Sequence, residues 1–571
     1  MAGVRTDGVL TGPGAPFAVV RGEDGGLRYA DGPRTLVEFV EPVWAFGDRV
    51  FLIGESASYT YREFFAAACA LARRFAEVYG LRPGDRAAIV MRNHPEWQIA
   101  FWGAQLAGLI AVPLNAWWTE AELTYALDDC APAVLLVDGE RLPAVDGWRR
   151  GNGARAVVFH GERDGRAGRG AGVEWYEDFG APDPCGAPPA VEIRPEDDAT
   201  IVYTSGTTGR PKGAVATQLA MAGAATHPRY HAAAAALARG TLPGMGPAPV
   251  TLMTYPFFHV AAFTALCSAA AVGGTLVLMR KWDAERALAL IDEHGVTHYA
   301  GVPATALGLL AAAERHGSPL TTLAHLATGG APAPRDLVAR LTARYGRRVE
   351  PRNGYGLTET GGGVLASFGD ECRQEPASVG RPAPAVETRI AGPDGRELPE
   401  GEVGELWLRG QSLVRGYWRD ERATAGAFRD GWFRTGDLAF ARDGGRITVV
   451  DRITDMVIRG GENVYCAEVE SALHEHPEVE DAAVFGVPDP VLGEEVVAVV
   501  RLRPGAAEAS GVTGEALRRY AGLRLAAFKV PARVALGEVP RSPTGKALKR
   551  ELREAFLAEH GTLRTRPKGG G

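Results

Sequence analysis

Short apolar runs alternating with amphipathic stretches set the rhythm of this chain from about residue 60 to 345. A helical pattern starts at Thr60 and runs through Phe64, Phe65, Ala68, Leu71 and Phe75, and the apolar run Ala87 to Met91 after it reads as a strand. A helix around Trp97 to Leu106, a strand Leu109 to Pro113, a helix near Glu120 to Leu127 and a strand Ala133 to Val137 follow. Residues 161–172 are rich in Gly, Arg and Asp and read as a surface loop. The alternation resumes with strands Thr251 to Tyr255, Thr275 to Met279, Thr297 to Val302 and Leu323 to Ala327. Helices Val260 to Ala271, Asp283 to His294, Thr305 to His316 and Ala333 to Tyr345 alternate with them. This pattern predicts an α/β fold with mainly parallel sheets covered on both faces.

Beyond residue 380 the texture changes. Short β segments with Gly/Asp turns, such as Gly404 to Leu408 and Arg446 to Val450, predict a small β-barrel-like subdomain over about 380–450. From about 456 a separate small α+β unit follows, with a helix Ala467 to Leu473 and strands Ala482 to Val487 and Glu495 to Leu502. Residues 1–35 are Gly-rich and weakly patterned, a loosely held lead-in, and 561–571 form a basic tail. No internal repeat is visible.

Composition narrows the function classes. With 571 residues the chain allows roughly three or four domain-sized units. A formal charge of −7 gives no basic footprint for nucleic acid. Six scattered cysteines without a Cys-x-x-Cys pair suit a reducing compartment, and neither a zinc site nor a disulfide framework. The N-terminus carries Arg5 and Asp7 and lacks the apolar segment of a signal peptide. Val260 to Met279 is long enough for a membrane span and uncharged, but Gly273-Gly274 splits it into a small-residue helix and a short strand, so no membrane span is expected.

The stretch Tyr203 to Gly213 carries the first chemical signal. Behind the strand-like run Ala199 to Val202, it offers Gly206, Gly209 and Gly213, the hydroxyls of Thr204, Ser205, Thr207 and Thr208, and the cations Arg210 and Lys212. Backbone N–H groups, hydroxyls and a lysine are what polyphosphate oxygens need. The spacing is not that of Gly-x-x-x-x-Gly-Lys-Ser/Thr, and Pro211 argues against a helix running straight off the loop. Four further segments stand out: Tyr255 to His259 at a strand end, Asn353 to Thr360, Trp432 to Asp437, and Asp451 through Tyr465. A fifth, Pro540 to Lys546, lies in the small unit. Taken singly, a histidine beside aromatics is more often a packed or capping residue, and the two turn-borne stretches read as plain turns.

Together and in this order, from about residue 45 to 560, the motifs resemble the adenylate-forming superfamily, and among its members the acyl-CoA synthetases. The resemblance implies a large N-terminal adenylation domain (36–450), a hinge at 451–455 and a mobile C-terminal domain (456–560). It implies ATP, Mg²⁺ and CoA as cofactors, and a cytoplasmic ligase. A carboxylate would attack the α-phosphorus of ATP, and a thiol would then take the acyl group. On that pattern Thr204, Ser205, Gly206, Thr207, Thr208, Gly209 and Lys212 would hold the β- and γ-phosphates, and Thr358 the α-phosphate, with Glu359 ligating Mg²⁺. Tyr355 would stack on adenine, Asn353 would read its amino edge, and Gly330, Ala331 and Pro332 would line the base. Asp437 would accept from the ribose hydroxyls with Arg452 nearby. Lys546 would bridge carboxylate and α-phosphate, and the Arg459 to Tyr465 loop with Gly460-Gly461 would serve the thiol after rotation of the small domain. The family usually has Lys or Asp where this chain has Thr454, which leaves the regulation of the hinge open.

By the same resemblance His259, Val260, Ala261, Ala265, Gly301, Val302 and Gly329 wall the acyl pocket, with His259 also in the catalytic set. Such small uncharged walls suit an apolar fatty or aryl acid; equally, small residues there let helices pack closely. Three further readings stay open: an amine acceptor, a carrier-protein phosphopantetheine, and a non-catalytic nucleotide-binding protein. A homodimer is also compatible with the sequence.

Overall fold

The computed structural model describes residues 7–23, 25–161, 172–204, 211–331, 335–503, 511–542 and 546–560. The loop residues Ser205 to Arg210, Pro332, the 162–171 loop and the 561–571 tail, all singled out above, lie outside the described residues.

Three sheets organise the molecule. In the first, strands Asp198–Thr204, Ile110–Pro113, Arg86–Val90, Val134–Asp138, Arg155–Phe159 and Val173–Trp175 run parallel in that spatial order. Lys212–Thr217 turns back antiparallel onto Asp198–Thr204 and itself pairs with Gly416–Tyr417. Pro211 therefore precedes a strand, in keeping with its inability to continue a helix from the loop. The second sheet has a parallel centre, Leu52 through Gly354, built from Val50–Ile53, Thr275–Leu278, Val250–Met253, His298–Gly301, His325–Gly329 and Glu350–Leu357.

Helix starts follow local chemistry. Thr60 and Glu63, and Thr119 and Glu122, form reciprocal capping boxes at the helices Tyr61–Arg73 and Glu120–Cys130. Pro95–Leu106 is buried along its whole length, because it lies between the two sheets against Tyr61–Arg73. Phe51 and Tyr61 stack there with ring centroids 4.3 Å apart.

Three features depart from the pattern reading. The 21-residue helix Gln218–Ala238 falls where no element was expected between the loop and Thr251. Much of its circumference is buried, so alanines replace the amphipathic stripe that would announce it. Residues 7–35 are not a loose lead-in. Leu10, Phe17 and Tyr29 are buried against that helix, the hairpin Val19–Arg21/Leu27–Tyr29 lies over it, and Arg21 pairs with Glu387. Last, the β-rich part continues the second sheet instead of standing apart. Val386–Ala391, Gly404–Gly410, Trp432–Arg442 and Arg446–Arg452 pair antiparallel in that order, and Arg446–Arg452 pairs with Ser378–Pro382. That strand joins Gly362–Phe368 of the second sheet. At this join Gly380 has φ +80°, and a Cβ on it would sit 1.9 Å from the Ala366 carbonyl oxygen.

The C-terminal unit is a third sheet, Glu462–Val464, Val457–Arg459, Gly493–Leu502 and Val479–Asp489, with Arg533–Leu536 parallel to Gly493–Leu502. Helices Cys466–His474, Gly514–Gly522 and Lys549–His560 cover it, around cores of Val469, Val484, Val496 and Leu517 on one face and Phe485, Val497 and Phe556 on the other. Among the described residues no helix is long and apolar enough to cross a membrane.

Candidate active site

The strand ends of the second sheet and its antiparallel extension converge on one corner. Asp437 is 3% exposed, and both its oxygens are engaged: Tyr355 donates its hydroxyl to Oδ2 at 2.6 Å and Arg452 Nε is ion-paired with Oδ1 at 3.1 Å. Register explains the second contact, since Asp437 and Arg452 are direct partners across adjacent strands. Burial pushes the Asp437 carboxyl above its usual value, with the Arg452 cation and the Tyr355 hydrogen bond pulling the other way. Asn353 donates its side-chain amide to the Ser378 carbonyl at 3.1 Å, which leaves the amide oxygen as its acceptor. Gly330 takes φ +77° directly after the strand His325–Gly329, as a tight turn at a strand end requires.

Glu359 lies on the short helical turn Thr358–Thr360 at the end of Glu350–Leu357. Its Oε1 accepts the Tyr417 hydroxyl at 2.8 Å, and its backbone carbonyl accepts the Val414 N–H. The Lys212 ammonium stands 5.4 Å from the centre of the same Tyr417 ring. Tyr417 therefore joins the carboxylate to the lysine that closes the 203–213 loop. It was not among the residues expected from sequence, since nothing around Gly416-Tyr417-Trp418 announces a partner 58 positions away. The loop's base is fixed by packing: Trp418 N–H donates to the Gly213 carbonyl, and a Cβ on Gly213 would stand 2.7 Å from Ile201.

His259 caps the helix Val260–Ala270. Its Nδ1 accepts the Ala261 N–H at 3.2 Å, and burial pushes its pKa down to about 4, so the ring is neutral at pH 7. It also stands between two cavities. One, of about 500 Å³, includes Val302 and Gly330 in its lining and opens toward Arg92, Arg280 and Lys281 with the indoles of Trp117 and Trp282. The other is a slot of about 30 Å³ walled by Val260, Trp97, Phe257, Phe258 and Phe263, with no charged residue in its lining. The remaining members of the expected acyl wall fall elsewhere. A Cβ on Gly301 would lie 2.1 Å from the Thr254 hydroxyl and one on Gly329 2.9 Å from the Gly354 carbonyl, so close packing of strands accounts for both glycines. Ala261 and Ala265 pack against the core. The cavity cations come from separate segments, Arg92 after one strand and Arg280-Lys281 after another, and each looks like an ordinary polar strand end in the sequence.

The small unit reaches this corner through Lys546, whose charge acts on Asp437 and Arg452. Surrounding protein and the Arg452 cation hold its ammonium below the usual lysine value, although the residue remains solvent-exposed. Gly460 and Gly461, with φ +60° and +88°, form the two-residue turn between Val457–Arg459 and Glu462–Val464. Ile453 N–H donates to the Gly436 carbonyl, so the chain stays tied to the large unit one residue past Arg452. Asp451 sends its Oδ2 to the N–H of Ala467, in the first turn of Cys466–His474.

Residues 40–418 match the family model described as AMP-binding enzyme, and residues 468–546 the one described as AMP-binding enzyme C-terminal domain. The chain belongs to the AMP-binding enzyme family. It is thus an adenylate-forming enzyme with a large N-terminal and a small C-terminal domain. Among curated relatives, a feruloyl-CoA synthase from an Amycolatopsis species is 35% identical over 479 residues, spanning 84% of this chain and 90% of the relative. A long-chain-fatty-acid–CoA ligase, FadD13, from Mycobacterium tuberculosis is 34% identical over 498 residues, 86% of this chain and 93% of the relative. The structure of the amide bond synthetase McbA from Marinactinospora thermotolerans superposes with a TM-score of 0.76 at 27% identity, covering 92% of this chain and all of that one.

Proposed function

We propose that this adenylate-forming enzyme is an AMP-forming acid–CoA ligase acting on an apolar aryl or fatty acid. The observation that carries the acceptor is the cavity of about 500 Å³ beside His259. Its lining gathers Arg92, Arg280 and Lys281 with two indoles, and although Glu140 pairs with both arginines the three cations outnumber it, which suits an acceptor with phosphates and a base at one end and a long thin arm at the other. A small amine would need none of these cations. The aromatic slot on the other side of His259, about 30 Å³, is too small to seat an acid without opening, but its uncharged wall supplies no partner for a second charge, in keeping with an apolar substrate. Relatives named for feruloyl-CoA and long-chain fatty acyl-CoA synthesis support the same class.

In the first half-reaction the acid's carboxylate oxygen bonds to the α-phosphorus of ATP and pyrophosphate leaves. Lys546 and Lys212 offset the charge of two anions brought together, and Asp437 and Arg452 orient the ribose. Glu359 fits Mg²⁺, a hard ion that prefers carboxylate oxygen: Tyr417 occupies Oε1, which leaves Oε2 to hold the ion. When bound, that ion would neutralise phosphate charge. In the second half-reaction the thiol loses its proton to solvent, its sulfur bonds to the acyl carbon and AMP leaves; for this step the small unit turns about residues 451–455, bringing the Gly460-Gly461 turn to the site.

The experiment is ATP-dependent pyrophosphate release over fatty, aryl and amino acids, with and without CoA, with thioester detected by mass. Release with one apolar class and a CoA thioester is expected. Release without thioester, or amide formation when an amine is supplied, would replace the CoA reading with the one that the likeness to an amide bond synthetase favours.

A further inference from the structure

Away from the nucleotide corner, three side chains that bind metals in other proteins meet at the junction of the first and second sheets. His94 precedes the helix Pro95–Leu106, Glu96 lies in its first turn, and His160 follows the strand Arg155–Phe159. One donor atom from each lies within 4.8 Å of the others. Glu96 is 4% exposed, and its oxygens are already divided: Tyr59 donates its hydroxyl to Oε1 at 2.7 Å, and Oε2 lies 2.7 Å from His160 Nε2. The two imidazoles stack with centroids 4.1 Å apart. His160 holds φ +50°, a left-handed conformation uncommon for a residue with a side chain, and its N–H is pinned by Glu177. The backbone is thus bent to keep this ring over Glu96.

We propose that His94, Glu96 and His160 form a binding site for one divalent transition-metal ion of the zinc class, with Tyr59 fixing the carboxylate. Two imidazoles and a carboxylate are the donor set such ions favour, and hard ions such as Mg²⁺ do not seek imidazole. The ion takes the place of the proton between His160 Nε2 and Glu96 Oε2. With metal–ligand bonds of about 2.0–2.1 Å the three donors must lie about 3.3 Å from one another, so the 2.7 Å Glu96–His160 pair must open while His94, whose donor atom is within 4.8 Å, turns in toward it. Tyr59 donates from an oxygen outside the coordination shell, the arrangement that tunes ligating carboxylates elsewhere. Since Tyr59 belongs to a strand of the second sheet and His160 follows one of the first, the ion would cross-link the two sheets beside the Arg92–Arg280 side of the larger cavity.

The test is titration of the full chain, stripped of metal, with Co²⁺ followed by visible absorption and with Zn²⁺ in competition. One equivalent of Co²⁺ in a low-symmetry nitrogen–oxygen field, displaced by one Zn²⁺, is expected. His94→Ala should weaken Zn²⁺ binding at least a hundredfold, and Tyr59→Phe roughly tenfold. The His94 side chain caps no helix N–H and only stacks on His160, so His94→Ala, which keeps the backbone bond to Arg92, should melt within a few degrees of the parent without metal. Glu96→Gln and His160→Ala should also lose binding, and if either fails to fold His94→Ala decides alone. Parent-like Zn²⁺ affinity in His94→Ala, or no stoichiometric Co²⁺ spectrum in the parent, overturns the site.

Discussion

The nucleotide corner and the small C-terminal unit hold their functional groups in opposite ways. In the large unit, Tyr355, Asp437 and Arg452 hold one another, and Tyr417 holds Glu359, before any ligand is considered, with the Asp437–Arg452 pair fixed by strand register. In the small unit, Lys546 is exposed and the Gly460-Gly461 turn has open space around Gly461. One region is preorganised, as electrostatic stabilisation demands, and the other carries its groups on turns that can be presented or withdrawn.

Breaking the mobile side should hurt most. Lys546→Ala should lower pyrophosphate release by about 10²–10³-fold with ATP affinity nearly unchanged, measured by single-turnover release beside equilibrium nucleotide binding. An equal loss of binding would show that the lysine belongs to the rigid set. Tyr417→Phe tests the rigid side: loss of a hydrogen bond to a charged group, about 1.5–3 kcal/mol, should raise the Mg²⁺ requirement of adenylation roughly tenfold while the melting temperature stays within a few degrees. A parent-like Mg²⁺ titration would remove Tyr417 from the site.

Smaller effects separate folding from function in the turn. Gly461→Leu puts a side chain at φ +88° and should cost about 1–2 kcal/mol of small-unit stability, whereas Gly461→Asn tolerates that conformation. If both slow thioester formation alike, close approach of the thiol arm is what the glycine serves. The smallest effect concerns the boundary between the units. Burial raises Asp451 to about 6, against the pull of Lys549. A folded-state value above the unfolded one makes the protonated form the stabilised one, so this residue's contribution is fully present below about pH 4 and is lost as pH rises through 6. Between pH 7 and 5 the parent should gain about 1 kcal/mol relative to Asp451→Asn, read from paired melts at the two pH values. A pH-independent difference would mean that the carboxylate is solvated.

How much of this was legible beforehand depended on distance along the chain. The helix start at Thr60 and the strands of the α/β layers are set locally and follow from the pattern. The adenylating motifs were readable through their order. The helix Gln218–Ala238 was not, because burial on most sides removes the periodic contrast that reveals a helix. Nor was the link from Tyr417 to Glu359, or the gathering of Arg92, Trp117 and Arg280 around one cavity, since each comes from a different strand end and only folding brings them together.

The register of the strands Trp432–Arg442 and Arg446–Arg452 has a mechanical consequence. Asp437 and Arg452 are the terminal rung of their ladder, and past Arg452 the chain crosses to the small unit. Any unzipping driven by a swing of that unit first breaks the Ile453–Gly436 hydrogen bond and then meets the Asp437–Arg452 pair. A nucleotide seated there would act as a brake on the pivot, and its departure would release the pivot and the product together.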